Sequence, residues 1–390
     1  MKQNTTYKQT ELGLIPEDWE VKKLGELGFF FKGKGVPKTS IETEGKYKCL
    51  TYGDLYTKYD YVIKNVKSFI NDASDSQEIN FGDICIAGSG ETIEDIGKCA
   101  VFIDDKTGYA GGDIIIFRSD ENPLTLSYIL NSDLCKRQKY RLGQGHSVVH
   151  IYSSQLQNLK IPLPPLPEQK KIADCLSTWD SAIEKQSALI NALTQRKKAL
   201  MQQLLTGKKR LPGFSDEWKE VKLGEISIKK SSTLQANSLE ENNGEFKVYG
   251  ASGIVANIDF YNESEEYIGI VKDGSGVGNL MLCDAKSSVL GTLDIIKNNK
   301  KSNLFFIYLI LSKIHFEKYK VGGAIPHIYY RDYSREKINI PSLSEQTAIA
   351  EILATADREL QLQKEKLAQL QQQKKGLMQV LLTGKKRLMN

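Results

Sequence analysis

The sequence predicts an α+β fold class: two pseudo-repeated mixed α/β domains separated by two long helices that form an antiparallel coiled coil. Three observations predict it. First, the frame running from Pro164-Pro165-Leu166-Pro167-Glu168-Gln169 to Leu204-Leu205-Thr206-Gly207-Lys208-Lys209-Arg210 returns 177 residues later without a gap. The second copy starts at Pro341 and Leu343, passes through Glu345-Gln346 and closes on Leu381-Leu382-Thr383-Gly384-Lys385-Lys386-Arg387. Second, the stretch between the matched ends has no proline and no internal glycine except Gly376, and it carries one apolar stripe of coiled-coil period. Third, the residues before each copy repeat a fainter pattern of short strands, glycine turns and one apolar helix. The order is domain, helix, domain, helix, over 1–166, 167–207, 208–343 and 344–387.

Each domain opens on a short alternating run that reads as an edge strand. In the first it is Pro16-Glu17-Asp18-Trp19-Glu20-Val21 followed by Leu24-Gly25-Glu26-Leu27. In the second it is Asp216-Glu217-Trp218-Lys219-Glu220-Val221 followed by Leu223-Gly224-Glu225-Ile226. Strands and turns rich in Tyr, Ile, Val and Gly follow over 46–117 and 245–296, each with a Gly-Ser-Gly turn, at Gly88-Ser89-Gly90 and Gly274-Ser275-Gly276. Apolar helices are predicted over 124–139 and 304–319. Glycine loops then lead into the shared strands His150-Ile151-Tyr152 and His327-Ile328-Tyr329.

The long helices begin at proline-fixed segments and stop at glycine. Ile172, Leu176, Trp179, Ile183, Ile190, Leu193, Leu200 and Leu204 recur in alternating steps of four and three, with Gln186 and Lys197 in the two remaining slots. The second copy places Ile349, Leu353, Ala356, Leu360, Leu367, Leu370, Leu377 and Leu381 there, with Gln363 and Lys374 again polar. Such a seam calls for knobs-into-holes packing on a partner helix. Packing of each seam on its own domain is the alternative. A stripe this long, present twice, is better satisfied when the two helices pair, the polar slots fixing register at a cost in stability. Leu211-Pro212-Gly213-Phe214 stands before the second domain where Leu12-Gly13-Leu14-Ile15-Pro16 stands before the first, so a pseudo-two-fold arrangement brings the termini together.

At 390 residues, 40% hydrophobic and 26% charged, the chain has an ordinary soluble composition with room for two or three cores. The polar start lacks a signal-peptide core, and the longest apolar run, 304–311, is too short to span a bilayer, so a cytoplasmic location and no membrane partner are expected. Six cysteines, at 49, 85, 99, 135, 175 and 283, show no Cys-x-x-Cys spacing and read as reduced thiols. Four histidines in unlike contexts suggest no metal site. Residues 1–166 hold 20 basic and 22 acidic side chains and 211–343 hold 16 and 17, whereas 167–210 hold 9 against 4 and 344–390 hold 8 against 5. The excess positive charge sits on the helices and their ends, so any polyanion must be met by local patches of the globular parts.

The proline–Leu–x–Glu–Gln helix starts and the tandem order resemble the specificity subunit of type I restriction–modification systems, over essentially the whole chain. The resemblance implies that the globular parts are target-recognition domains, each reading one half of a bipartite, asymmetric site on double-stranded DNA. It implies helices that hold the domains apart and dock DNA adenine methyltransferase (M) subunits, with restriction/translocase (R) subunits joined through the complex. S-adenosylmethionine, ATP and Mg belong by the same implication to the partner subunits, with no cofactor and no catalytic residue on this chain.

The residues read by themselves also lack a catalytic constellation. No Asn- or Asp-Pro-Pro-aromatic motif occurs. The stretch from Gly28 through Phe29, Phe30 and Phe31 to Lys34 imitates a phosphate loop, but Gly35 stands where Ser or Thr should hold magnesium, and the phenylalanines read as a buried strand. Glu-x-Lys triplets of nuclease type recur too often to mean more than solvated strand faces. For DNA the candidates are loops. Lys32, Lys34 and Lys38 surround glycines and suit phosphate. Lys139 and Arg141 precede a loop in which Gln144, His146 and Ser147 reach toward bases, with Ser89 on the Gly-Ser-Gly turn; Gln suits the adenine edge. In the second half the candidates are Tyr249, Ser252, Ser275, Asn279, Lys318 and Lys320. Structural turn chemistry is the competing reading for each. The rivals to DNA reading are an assembly scaffold without sequence preference and, last, a nuclease.

Overall fold

The computed structural model describes residues 6–145, 148–239 and 244–388. The chain divides into two compact units, one built from residues up to 186 together with those from 366 onward, the other from 187–365.

In the first unit the opening strand Glu20–Lys23 pairs antiparallel with the closing strand Lys160–Leu163, so the domain is tied where it meets its helix. A five-stranded sheet follows in the order Gly28–Lys32, Ile114–Ser119, Ile84–Ala87, Cys99–Phe102, Val62–Ile63. Its first four strands are antiparallel neighbours, and Val62–Ile63 pairs parallel with Cys99–Phe102. Ile84, Ile86, Val101, Ile115 and Phe117 fill a core shared with Trp19, Leu24, Leu126 and Ile129. Cys85, Ala87, Ala100, Phe102, Ile114 and Ile116 fill a second core with Leu50, Leu55 and Ile79. A sheet covered on both faces reads as unbroken apolar runs, which is why Ile84–Ala87 and Ile114–Phe117 lack polar residues. A second sheet, in the order Phe69–Ile70, Tyr47–Leu50, Gly108–Ala110, Gln77–Ile79, covers the far side.

The second unit repeats this plan. Lys219–Lys222 pairs with Lys337–Ile340, and a four-stranded sheet runs Ser227–Ser231, Leu293–Asn298, Tyr267–Val271, Leu280–Cys283. A three-stranded sheet, Gly253–Ile258, Phe246–Gly250, Ser288–Val289, stands beside it.

Each apolar helix is shorter than its sequence suggests. The stretch predicted over 124–139 is two helices, Pro123–Leu130 and Asp133–Leu142, and 304–319 is Leu304–Leu311 followed by a 3-10 turn, Phe316–Tyr319. The break in the first has a polar cause. Asn131 turns inward, its amide donating to the Cys99 carbonyl at 2.7 Å and its Oδ1 accepting from the Cys99 N–H at 3.2 Å. Ser132 then caps the next helix.

The long helices are Leu166–Leu204 and Leu343–Leu381, 39 residues each and about 58 Å at 1.5 Å per residue. Gly207 and Gly384 follow their ends with φ of +69° and +70°, the left-handed geometry that lets the following N–H groups turn back onto the last carbonyls. The helices pair with each other within each unit. In the first, Ile172 and Leu176 share a core with Met378, Leu381 and Leu382; in the second, Leu204 and Leu205 share one with Ile349, Ala350 and Leu353. Numbers that rise along one helix fall along the other, so the pairing is antiparallel. Every seam position is buried or half-buried, including Trp179, Ile183, Ile190, Leu193, Leu200, Ala356, Leu360, Leu367, Leu370 and Leu377. The seam ends do also pack on their domains, so the alternative packing holds there in part.

The two seam lysines pair with acids. Lys374 meets Asp180 in the first unit, and Lys197 meets Asp357, its counterpart, in the second. The helix starts and ends pair as well. Arg387 forks onto Glu168, and Arg210 forks onto Glu345. Beside each glutamate, the glutamine ties the helix to its domain. Gln169 donates to the Pro164 carbonyl and accepts from the Asn122 N–H; Gln346 does the same with Pro341 and Asn303. The N-terminal hairpin, Tyr7–Thr10 with Gly13–Pro16, meets the far end of the chain through Tyr7 Oη, which donates to the Gly384 carbonyl at 3.1 Å.

Candidate nucleic-acid interface

Both units project a hairpin closed by a histidine. In the first, Gln144 and His150 exchange main-chain hydrogen bonds of 2.9 and 2.8 Å; in the second, Val321 and His327 do so at the same distances. Each imidazole is fixed from below, His150 Nδ1 lying 2.8 Å from Ser89 Oγ and His327 Nδ1 lying 2.7 Å from Asp273 Oδ1. The Ile151 N–H donates to the Gly88 carbonyl and the Ile328 N–H to the Lys272 carbonyl. Ser89 therefore corresponds to Asp273, and the two Gly-Ser-Gly turns are offset by two residues. In the first unit Ser89–Gly90 is a strand; in the second, Gly274–Gly276 is the turn beyond it.

Three predicted contacts are corrected by burial. Lys139 is 2% exposed and donates to the Gly97 carbonyl at 2.6 Å, with burial driving its pKa below the lysine range. Gly97, at φ +72°, leaves no space for a Cβ beside that lysine. The ammonium is a strut of the core. Ser89 is buried as the foot of His150, and Tyr249 is buried in the second domain's inner core, its hydroxyl accepting from the Asp284 N–H. None of the three lies open at the surface.

Others remain at the surface. Lys32, Lys38, Arg141, Gln144, Ser252, Ser275 and Asn279 are exposed, as is Lys34, which meets Asp75 at 2.9 Å in a pair that solvent screens. Lys318 pairs with Glu336 and Lys320 with Glu317, so two cations expected to be free are already answered. His146 and Ser147 lie outside the described residues. The phosphate-loop imitation is the edge strand Gly28–Lys32, whose Phe29 is 75% exposed while Phe30 and Phe31 are half-buried, so the buried-strand expectation holds for only part of it.

Sequence reasoning missed the structural role of His150 and His327. Their signal was present, since two of the chain's four histidines stand 177 residues apart in the repeated frame. Among the described residues no helix is long and apolar enough to cross a membrane, and no group of three or more His, Cys, Asp or Glu is placed to hold a metal ion.

Comparison with known proteins agrees with the doubled architecture. The family model described as the type I restriction modification DNA specificity domain matches twice, over residues 16–195 and 215–372. A putative type I restriction enzyme MjaX specificity subunit of Methanocaldococcus jannaschii is 31% identical, with 98% of this chain and 97% of that protein covered. The MjaVIII specificity subunit of the same organism is 27% identical over 96% of this chain and 95% of its own length. Among solved structures, the S subunit of a type I restriction-modification system from M. genitalium superposes with a TM-score of 0.67 at 20% identity, covering 98% of this chain and 97% of that one. The chain belongs to the family of type I restriction–modification specificity subunits.

Proposed function

We propose that this chain supplies DNA sequence recognition to a type I restriction–modification complex and performs no chemistry itself. Each domain reads one half of an asymmetric bipartite site; the paired helices set the spacing between the halves and dock the adenine methyltransferase subunits. Restriction and translocation subunits join through that assembly. S-adenosylmethionine, ATP and Mg act on those partners. The observation that carries this reading is the contrast between frame and loops. Opening strand, closing strand, helix clamp and histidine-closed hairpin recur in both units, whereas the hairpin tips and flanking turns differ. A constant scaffold with divergent loops suits two readers of unlike half-sites.

The test is the methylated motif produced when this chain is expressed with its methyltransferase partner. Replacing residues 1–166 by the equivalent domain of a related subunit should change one half-site and leave the other. Adding one heptad to each helix, between 186 and 187 and between 365 and 366, keeps the seam in phase and adds about 10 Å, or about three base-pair steps. The motif should then gain spacer bases with both halves unchanged. A swap that rewrites both half-sites, or a heptad pair that alters the halves and not the gap, overturns the proposal.

A further inference from the structure

We propose that the exposed apolar residue two before each closing histidine, Ile325 in the second unit and Val148 in the first, packs against thymine 5-methyl groups in the major groove of the half-site its domain reads. The inference rests on the DNA-reading function proposed above and names a contact within it.

The hairpin of the second unit is stiff at its foot and bare at its tip. Beyond the two main-chain bonds between Val321 and His327, the Gly274 N–H donates to the Pro326 carbonyl at 3.0 Å and buried Ile328 is held to Lys272 at 2.9 Å. From Val321 to Pro326 no side chain carries a polar atom, yet Val321, Ala324 and Ile325 are exposed, Ile325 by 61%. One exposed apolar residue is ordinary on a protein surface. Recurrence at the same place is not. The first unit's hairpin exposes Val148, 47%, at the frame-related position, again a β-branched residue two before the closing histidine. Both hairpins also leave a tyrosine exposed two residues beyond that histidine, Tyr152 and Tyr329.

The flanking chemistry favours a nucleic acid over an apolar protein partner. Arg331 lies over the Tyr329 ring, 5.0 Å from its centroid, and is itself largely exposed; Arg141 is exposed beside the first hairpin. Such cations can take phosphates while the tip enters the groove. There the thymine methyl is the apolar feature that marks a base pair, and side chains without polar atoms read it by contact. A half-site methylated on adenine necessarily holds a thymine opposite.

The experiment uses the full chain assembled with its methyltransferase subunits and duplexes carrying the methylated motif. Each thymine in turn is replaced by deoxyuridine, which removes the methyl alone, and affinity is read by fluorescence anisotropy. One replacement in the half-site of the second domain should weaken wild-type binding about fourfold, the value of burying one methyl. The Ile325→Ala complex should show no such loss there, while Val148→Ala keeps it; the roles should reverse in the other half-site. Both positions are exposed, and unchanged melting checks that the variants fold. Wild-type binding indifferent to every replacement, or an Ile325→Ala complex as sensitive as the wild type, overturns this contact while leaving DNA reading intact. A complex with no sequence preference at all overturns both.

Discussion

Arg387 closes the first unit by forking onto Glu168: its Nε and Nη2 donate to the two carboxylate oxygens at 2.7 Å each, while Nη1 and Nη2 also donate to Asp18. Glu168 is 4% exposed, so the arginine answers a carboxylate that water cannot reach. The Asp18 carboxyl, hydrogen-bonded by the same guanidinium, is held below its ordinary pKa.

Removing either arginine should therefore strand a buried acid. Arg387→Ala and Arg210→Ala should each cost about 3 kcal/mol, the range for breaking a buried pair from one side. Arg387→Lys should recover only part of that, because one ammonium cannot span the carboxylates of both Glu168 and Asp18. Urea denaturation of the full chain measures this; a full rescue by lysine would show that charge alone, without the fork, suffices.

The two tryptophans at matching positions should behave differently. Trp19 Nε1 donates to Glu168 at 2.9 Å, whereas Trp218 Nε1 is buried with no hydrogen-bond partner. Trp19→Phe should cost about 2 kcal/mol, from the lost bond to a charged acceptor and the space left behind. Trp218→Phe removes an unsatisfied donor and should cost less than about 1 kcal/mol. Equal losses in thermal melts would mean that packing alone sets the cost.

Of the two seam lysines, Lys374 is the more deeply enclosed. Its ammonium sits 3.8 Å from the Tyr61 ring centroid and 5.1 Å from that of Tyr128, and Tyr128 also bonds Asp180. Burial lowers its pKa. Lys374→Ala should cost about 2–3 kcal/mol, against about 1 kcal/mol for Lys197→Ala, whose partly exposed pair is screened. Denaturant midpoints at fixed ionic strength decide it, and a larger loss at Lys197 contradicts the ordering.

Lys139 and Lys34 separate strut from surface. Lys34→Ala should weaken binding to all sequences alike and lower the salt slope by about 1, leaving stability unchanged. Lys139→Met should leave the salt slope untouched. Its pH signature also follows. Burial sets the folded pKa of Lys139 below 10.5, so between those two values the unfolded chain binds more protons and stability gains as pH rises. The Met variant should lack that gain, which alkaline melting curves of the two proteins would reveal.

The seam and the helix ends were legible because they depend on local spacing: Ile172 and Leu176 must face something, and Gly207 must end something. What the helix ends touch was not legible. Glu168 and Arg387 lie 219 residues apart, and nothing in either stretch marks the other as its partner. Asn131 broke an apolar helix through a bond to Cys99 that no periodicity encodes. Lys139 looked like a phosphate contact because charge patterns are read on the premise that charged residues face water. Its place inside follows from Gly97, whose bare Cα lets the lysine stem lie flat against the chain.

The clamp at Arg387 also governs how the molecule is completed during synthesis. Residues 187–365 are continuous and leave the ribosome as a set, so the second unit can close while the chain is still being made. The first unit begins earlier but finishes later, because Met378, Leu381, Leu382 and Arg387 belong to its core and clamp. A message cut short before the second long helix yields a chain whose first-made domain stays open, with Glu168 unanswered and Trp19 uncovered. Such fragments would present themselves to chaperones and proteases, and only chains made through to their final helix would go on to assemble.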